Sequence, residues 1–424
     1  MSLPTAVRSL GWHFADDAGL GAALDHFLDS RPERPQLLGL GEPTHALGVF
    51  PLLRNRVLRH LVEHQGCRSI VVESNCLTSP VVNDYVTTGD GDIDTVLSTG
   101  FSHGFGGLPG ARELVTWLRD VNRGREPEDQ IRFFGFDAPT EMTSAASPRV
   151  TLTGLHRFLT AHLGPERVPH SLPTIESLLG DDDAWTNPAA AMDSTQSVGG
   201  SAEAHQLRVI ADDLVAVLET ETPGLRHAGT PAEFDQACLF ARITQGMLRY
   251  HAAMADPGPG RVGRMLAIRD AMMADNLVAL AKSESRRGLS LVFAHNAHLQ
   301  RSRGHWRLGE MDLRWWSAGA ITADRLGGRY AVIASDFGVA PELGVAGPEP
   351  DSLHGVLADA TEACALYPAN ALAGALDGHP ALAPRVVGDP RYIPLDARGI
   401  GGVDAVVFVK DVSTQDGQCE EVPA

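Results

Sequence analysis

The chain predicts an α/β fold: a mainly parallel sheet with flanking helices and a large helical insertion. Three observations predict it. Short apolar runs recur with helical stretches between them, as buried parallel strands require. The first two runs enclose an amphipathic helix, which makes a βαβ unit. From about 150 to 284 the strand pattern stops and helical periodicity takes over.

The runs are "QLLGLG" (36–41), "SIVVE" (69–73), "RFFGFD" (132–137), "LSLVFAH" (289–295), "YAVIAS" (330–335) and "DAVVFV" (404–409). Between the first two, Phe50, Leu53, Val57, Leu58 and Leu61 share one side of a helix over about 48–64. Arg54, Arg56, Arg59 and Glu63 fall mostly on the other. "ARELVTWLRDVN" (111–122) is a second helix leading to the third run. The expected division is a core of 1–149 and 285–424, with 150–284 as a helical insertion or lid. Inside the insertion, "GDDDAWTNPAAAMDSTQSVGGS" (180–201) reads as a loop or mobile lid segment.

Composition bounds the function classes. With 424 residues, 43% of them hydrophobic, the chain can bury a large core. A net charge of −18 argues against general affinity for nucleic acid or anionic membrane. No apolar run is long enough to span a bilayer. The N-terminus lacks a basic segment followed by an apolar one, so no signal peptide is expected. Cysteines 67, 76, 238, 364 and 419 are scattered and odd in number. They point to reduced thiols in a cytoplasm, with no disulfide frame and no paired-Cys zinc site.

In open parallel sheets, ligands bind beyond the carboxyl ends of the strands. The first run delivers Glu42 and His45 there. The second delivers Glu73, the third Asp137, and the fourth His295, Asn296 and His298 in "FAHNAH". Asp137 alone reads as a helix cap or turn, or as a substrate contact. Together the set is acid–base machinery, because a carboxylate beside an imidazole sets its tautomer and raises its basicity. "GFSHG" (100–104) fits the nucleophile elbow, with Ser102, Asp137 and His298 in workable order. Only "VL" precedes Ser102, and "GFGGLPG" follows it, so neither the strand nor the helix of an elbow is expected. His103 in that stretch is a candidate cleft residue. Glu42, His45, Glu73, His295 and His298 could also bind zinc or manganese, but no H-E-x-x-H or Cys cluster supports a metal. "GLGEPT" lacks the third glycine of a dinucleotide fingerprint, and its Glu would repel a pyrophosphate.

These motifs carry a resemblance. "GEPTH" after a strand is similar to the GE-x-T-H signature of the erythromycin esterase family. The likeness continues through "LLRNRVLRHLVEHQGCRSIVVES", "ELVTWLRDVN", "FFGFD", "RDAMMADNL" and "FAHNAHLQR", over roughly residues 35–340. It implies a deep polar cleft and hydrolysis of a macrolide lactone by activated water, with no covalent acyl-enzyme, required metal or cofactor. It implies a small-molecule partner, a macrolide or other natural product. By position, His45 resembles the general base, and Glu42 and Glu73 the carboxylates that orient imidazoles and water. His295 and His298 resemble a second histidine pair acting on the carbonyl and the leaving alcohol. Arg54 resembles a cleft arginine that stabilises the oxyanion. Ala46 stands where many members have Gly, and Val49 where many have Glu, both near the cleft mouth. A base that deprotonates water can instead deprotonate a substrate nucleophile. Biosynthetic cyclisation, lactonisation or alkyl transfer on a natural product is therefore the alternative.

Overall fold

The computed structural model describes residues 2–141, 144–377, 379, 382–385, 388–389 and 391–414. Ten strands are defined: β1 Trp12–Phe14, β2 Leu37–Glu42, β3 Cys67–Asn75, β4 Arg132–Asp137, β5 Leu289–His295, β6 Arg303–Leu308, β7 Met311–Trp316, β8 Tyr330–Val339, β9 Cys364–Pro368 and β10 Ala405–Asp411. Eight of them form one sheet in the order β1-β9-β10-β8-β2-β5-β3-β4, and β6 and β7 pair as a separate hairpin. The pairs β10–β8, β8–β2, β2–β5 and β5–β3 are all parallel. β9 runs antiparallel to both its neighbours, β1 and β10. The fold class is therefore α/β with a mainly parallel sheet, as the apolar runs predict.

The chain divides into two compact units, 1–136 with 277–424, and 137–276. The second begins and ends a little earlier than the 150–284 read from periodicity.

In the first unit, every residue of β2 is buried, so both faces of the strand meet core. That demands the unbroken "LLGLGE" rather than an alternating pattern. The helix Val49–His64 buries Phe50, Leu53, Val57, Leu58 and Leu61, the apolar side predicted for it. Each such side chain contributes about 1.5–3 kcal/mol. Arg54 departs from the prediction. It is only 6% exposed and does not lie on a solvated face. Gly41 has a steric reason. A Cβ there would collide with the Asn296 amide. That amide crosses over β2 to donate to Ser335 O at 2.8 Å and accept from Ser335 N at 3.2 Å.

The second unit is helical, with Leu152, Leu155, Ile175, Leu207, Leu214 and Phe234 in its core. The 180–201 stretch is not a plain loop. It holds a short helix, Asp182–Trp185, and three single-turn 3-10 segments. Buried Trp185 donates its indole N–H to Leu179 O at 2.8 Å. Arg261 donates to Ala190 O and Ala191 O at 3.0 and 2.9 Å, so backbone carbonyls pin the segment inside its own unit.

No described helix is long and apolar enough to cross a membrane. Cys67, Cys76, Cys238 and Cys364 are thiols; Cys419 lies outside the described residues.

Candidate active site

Strand register brings the chemistry together. Glu42, the last residue of β2, is the direct partner of His295, the last of β5. Val72 on β3 pairs with Phe293, which puts Glu73 beside the end of β5. The turn over 43–48 then carries His45. His45 Nδ1 donates to Glu42 Oε1 at 2.7 Å. Its Nε2 lies 3.8 Å from Glu73 Oε1, and His298 Nε2 lies 3.4 Å from the same oxygen. Glu73 Oε2 accepts the backbone N–H of His295 at 2.8 Å. The Glu73 carboxylate is thus fixed by one oxygen and offers the other to two imidazoles. The His45 side chain is 34% exposed and that of His298 9%, so His45 is the more open of the two.

His295 holds the scaffold. Its Nε2 donates to Pro43 O at 2.9 Å, and its Nδ1 accepts from Ala297 N at 3.1 Å. Both ring nitrogens serve the backbone, and the tautomer is set. Burial, with the field of His45, pulls its pKa from 6.5 to about 3, so the ring is neutral. This has a stability consequence. Between pH 6.5 and about 3 the unfolded chain binds a proton at His295 that the folded chain refuses. Stability from this group is therefore full above pH 6.5 and is lost as pH falls, at a slope of at most about 1.4 kcal/mol per pH unit. In His295→Asn the amide oxygen can still accept from Ala297 N as Nδ1 does, but it does not titrate. We expect the gap in urea midpoint between the two proteins to narrow from pH 7 to pH 4. A constant gap would overturn this.

Arg54 explains its own burial. Its Nε and Nη2 donate to Asn55 Oδ1 at 3.1 and 2.8 Å, and its guanidinium lies 5.0 Å over the Phe293 ring. Burial lowers its pKa to about 10, so it stays cationic at neutral pH. Glu42, Arg54 and Glu73 line one small cavity of about 30 Å³ with Phe101, Phe105 and Phe293. Glu42 Oε2 is buried and has no hydrogen-bond partner among the described residues. Burial raises the Glu42 pKa, and Glu73 adds to the rise, against the pull of His45 and Arg54. A carboxylate held in this state is a strong acceptor for the His45 N–H.

Phe105 was not picked out by the sequence reading. Its ring lies 4.8 Å from His45 and 5.3 Å from His103. His103 therefore borders the site through Phe105, in a loop where its own φ is +57°. Ser102 follows the helix Ile93–Gly100, not a strand. Its Oγ accepts Asn75 N at 2.9 Å, and its own N–H donates to Ser74 Oγ at 2.9 Å. The hydroxyl ties the loop to β3 and has none of the setting of an elbow nucleophile.

Asp137 ends β4 as expected, but its carboxylate is fully buried and grips Arg269. Arg269 Nε and Nη2 donate to Oδ1 and Oδ2 at 2.9 and 2.6 Å, within the second unit. The Arg269 side chain of this pair is 18% exposed. Among the described residues, no group of three or more His, Cys, Asp or Glu is arranged to hold a metal ion.

A sequence model described as Erythromycin esterase matches residues 62–408. That range starts after the turn of Glu42 and His45, whose grouping rests on the geometry above. The chain is 23% identical over 288 residues to an erythromycin esterase type II of Escherichia coli. This match covers 66% of the chain and 65% of the relative, so it spans less than two thirds of that protein's length. Among solved structures, a Bacillus cereus protein superposes with a TM-score of 0.72 at 16% identity, over 96% of this chain and 97% of that one. A succinoglycan biosynthesis protein gives 0.68 at 15% identity, over 96% of each chain. A mutant of the erythromycin esterase EreC in its open conformation gives 0.66 at 18%, over 94% and 95%. At these identities the superpositions show a shared fold. The family match over most of its length shows more: the chain belongs to the erythromycin esterase family.

Proposed function

We propose that this protein hydrolyses an ester, with a macrolide-type lactone as the substrate class, using water activated by His45. One observation carries the reading. His45 is clamped by Glu42 through Nδ1, so its Nε2 lone pair faces Glu73 Oε1 across 3.8 Å. A water in hydrogen-bond reach of both would give one proton to Nε2 and be aimed by Glu73. Its oxygen attacks the carbonyl carbon, and the carbonyl oxygen takes the negative charge, with Arg54 as the nearby buried cation. Collapse breaks the C–O bond. The leaving alkoxide takes the proton that His45 accepted, directly or relayed by His298, and Glu73 faces both imidazoles. The products are a carboxylic acid and an alcohol. His295 takes no proton in this scheme; it holds Pro43 and the start of the His298 segment in place.

Purified protein incubated with a panel of macrolides tests the reading, with products followed by mass spectrometry. Addition of one water supports it. Unchanged mass with altered retention identifies cyclisation or isomerisation instead, and binding without turnover identifies a receptor. Ser102→Ala is expected to keep most of the activity while losing some thermal stability, because the hydroxyl's ties to Asn75 N and Ser74 Oγ are removed. An inactive Ser102→Ala, with an acyl-enzyme trapped on the wild type, would overturn the water mechanism.

A further inference from the structure

A second buried carboxylate lies in the same unit, outside the site described. Asp336, on β8, is wholly buried and accepts four hydrogen bonds. Oδ1 takes Phe337 N and the Tyr392 hydroxyl, each at 2.8 Å. Oδ2 takes Leu395 N at 2.7 Å and His354 Nε2 at 2.8 Å. Only an ionised carboxylate accepts all four at once. Burial by itself would raise the Asp336 pKa, but His354, Leu395 N–H and Tyr392 outweigh it and hold the group below the usual range. Two of the four donors belong to the segment 392–395. That segment is braced further by Tyr392, whose ring stacks on Phe337 at 4.7 Å and whose hydroxyl takes a bond from Arg385 at 3.1 Å.

Between the two anchored residues, Ile393 points its backbone N–H elsewhere. It donates to Pro43 O at 3.1 Å. Pro43 stands in the turn between Glu42 and His45, and the same carbonyl takes the His295 Nε2–H at 2.9 Å. The turn that carries His45 is therefore held by two donors on one oxygen: His295 from the β5 end, and a strap whose anchor is Asp336.

We propose that Asp336 is a positioning residue for the active site: through the 392–395 strap and the Pro43 carbonyl, it sets the orientation of His45 against Glu42. The inference rests on the reading of His45 as the base. If Asp336 served the fold alone, its ties would end at the strap. Instead the strap's next donor reaches the turn. In Asp336→Asn the amide has one acceptor oxygen where four donors converge, so at least one side of the strap is released. The His45 ring then loses part of its registration with Glu42. Misplacement of this order costs about 10- to 100-fold in kcat with KM little changed.

The test uses the full chain labelled with ¹⁵N-histidine, and reads the imidazole nitrogens of His45, assigned by their loss in His45→Gln. Leu24→Ala, a core residue of the helix Asp17–Asp29, serves as a control for simple destabilisation. Asp336→Asn should shift the His45 nitrogens toward a mixture of tautomers at a temperature well below its Tm, whereas Leu24→Ala should not. Tyr392→Phe, which removes one donor and keeps the stacked ring, should give a smaller shift in the same direction and covers the case in which Asp336→Asn does not fold. With a macrolide that the wild type turns over, kcat should fall in the same order. Unchanged His45 nitrogens in both strap variants, with only Tm lowered, would overturn the proposal. Failure of the wild type to hydrolyse any macrolide would remove the hydrolase reading, while the comparison of His45 nitrogens would still decide the link.

Discussion

His45→Ala is expected to lower kcat for macrolide hydrolysis by about 10²–10⁴-fold, the range seen when a general base is removed. The Nδ1–H of His45 is committed to Glu42 at 2.7 Å, and in the proposed mechanism Nε2 accepts the water proton. The neighbouring His295 cannot take over. His295 spends both nitrogens on backbone groups, and its pKa of about 3 keeps it from accepting a proton near neutral pH. His298 is largely buried and faces the same Glu73 oxygen from another side. Binding should change little, because the ring is removed from the water and not from a substrate pocket. Activity should rise with hydroxide concentration in the variant, since deprotonation of water no longer has a catalyst. Near-normal kcat in His45→Ala would sink the mechanism outright.

Glu73→Gln should lower kcat by about 10²-fold with KM nearly unchanged. The amide can still accept His295 N–H with its oxygen, which directs its NH₂ toward the Nε2 atoms of His45 and His298. An N–H facing His45 Nε2 occupies the lone pair that water needs. The lost charge also removes the field that favours imidazolium in the transition state. Folding should be almost intact, because the backbone tie at 2.8 Å survives. Normal turnover with weakened binding would make Glu73 a substrate contact. Loss of wild-type activity in EDTA, with recovery on zinc or manganese, would make these carboxylates metal ligands.

Six strands were legible because a parallel strand with both faces buried needs a continuous apolar run, and β2 and β5 are such runs from end to end. Those that escaped lack the signal. β1 has three residues, β9 runs antiparallel through only five, and β6 and β7 alternate exposed arginines with partly buried rings. The same limits apply to the site. Glu42, His45, Glu73 and His298 were legible because each follows or ends an apolar run, and the carboxyl edge of a parallel sheet gathers such ends. Phe105 gave no signal, since a lone ring among glycines has no periodicity. Asp336 was passed over because the apolar run seemed to stop at Ser335, one residue short of it.

Local sequence by itself determined the α/β class, the first βαβ unit and the residues at the strand ends, since alternation, helical spacing and chain order are properties of neighbouring residues. Tertiary structure decided what each polar group does. Arg54 was read as part of the polar side of its helix, yet it falls between Phe50 and Leu58 on the buried side, where Asn55 and the Phe293 ring meet it. Asp137 ends its strand as expected, yet Arg269, distant in sequence, takes its carboxylate. His295 has the right position for catalysis, yet Pro43 O and Ala297 N claim its ring. A hydrogen bond forms between whichever donors and acceptors the fold brings within about 3 Å, and nothing in the order of residues along the chain encodes that distance.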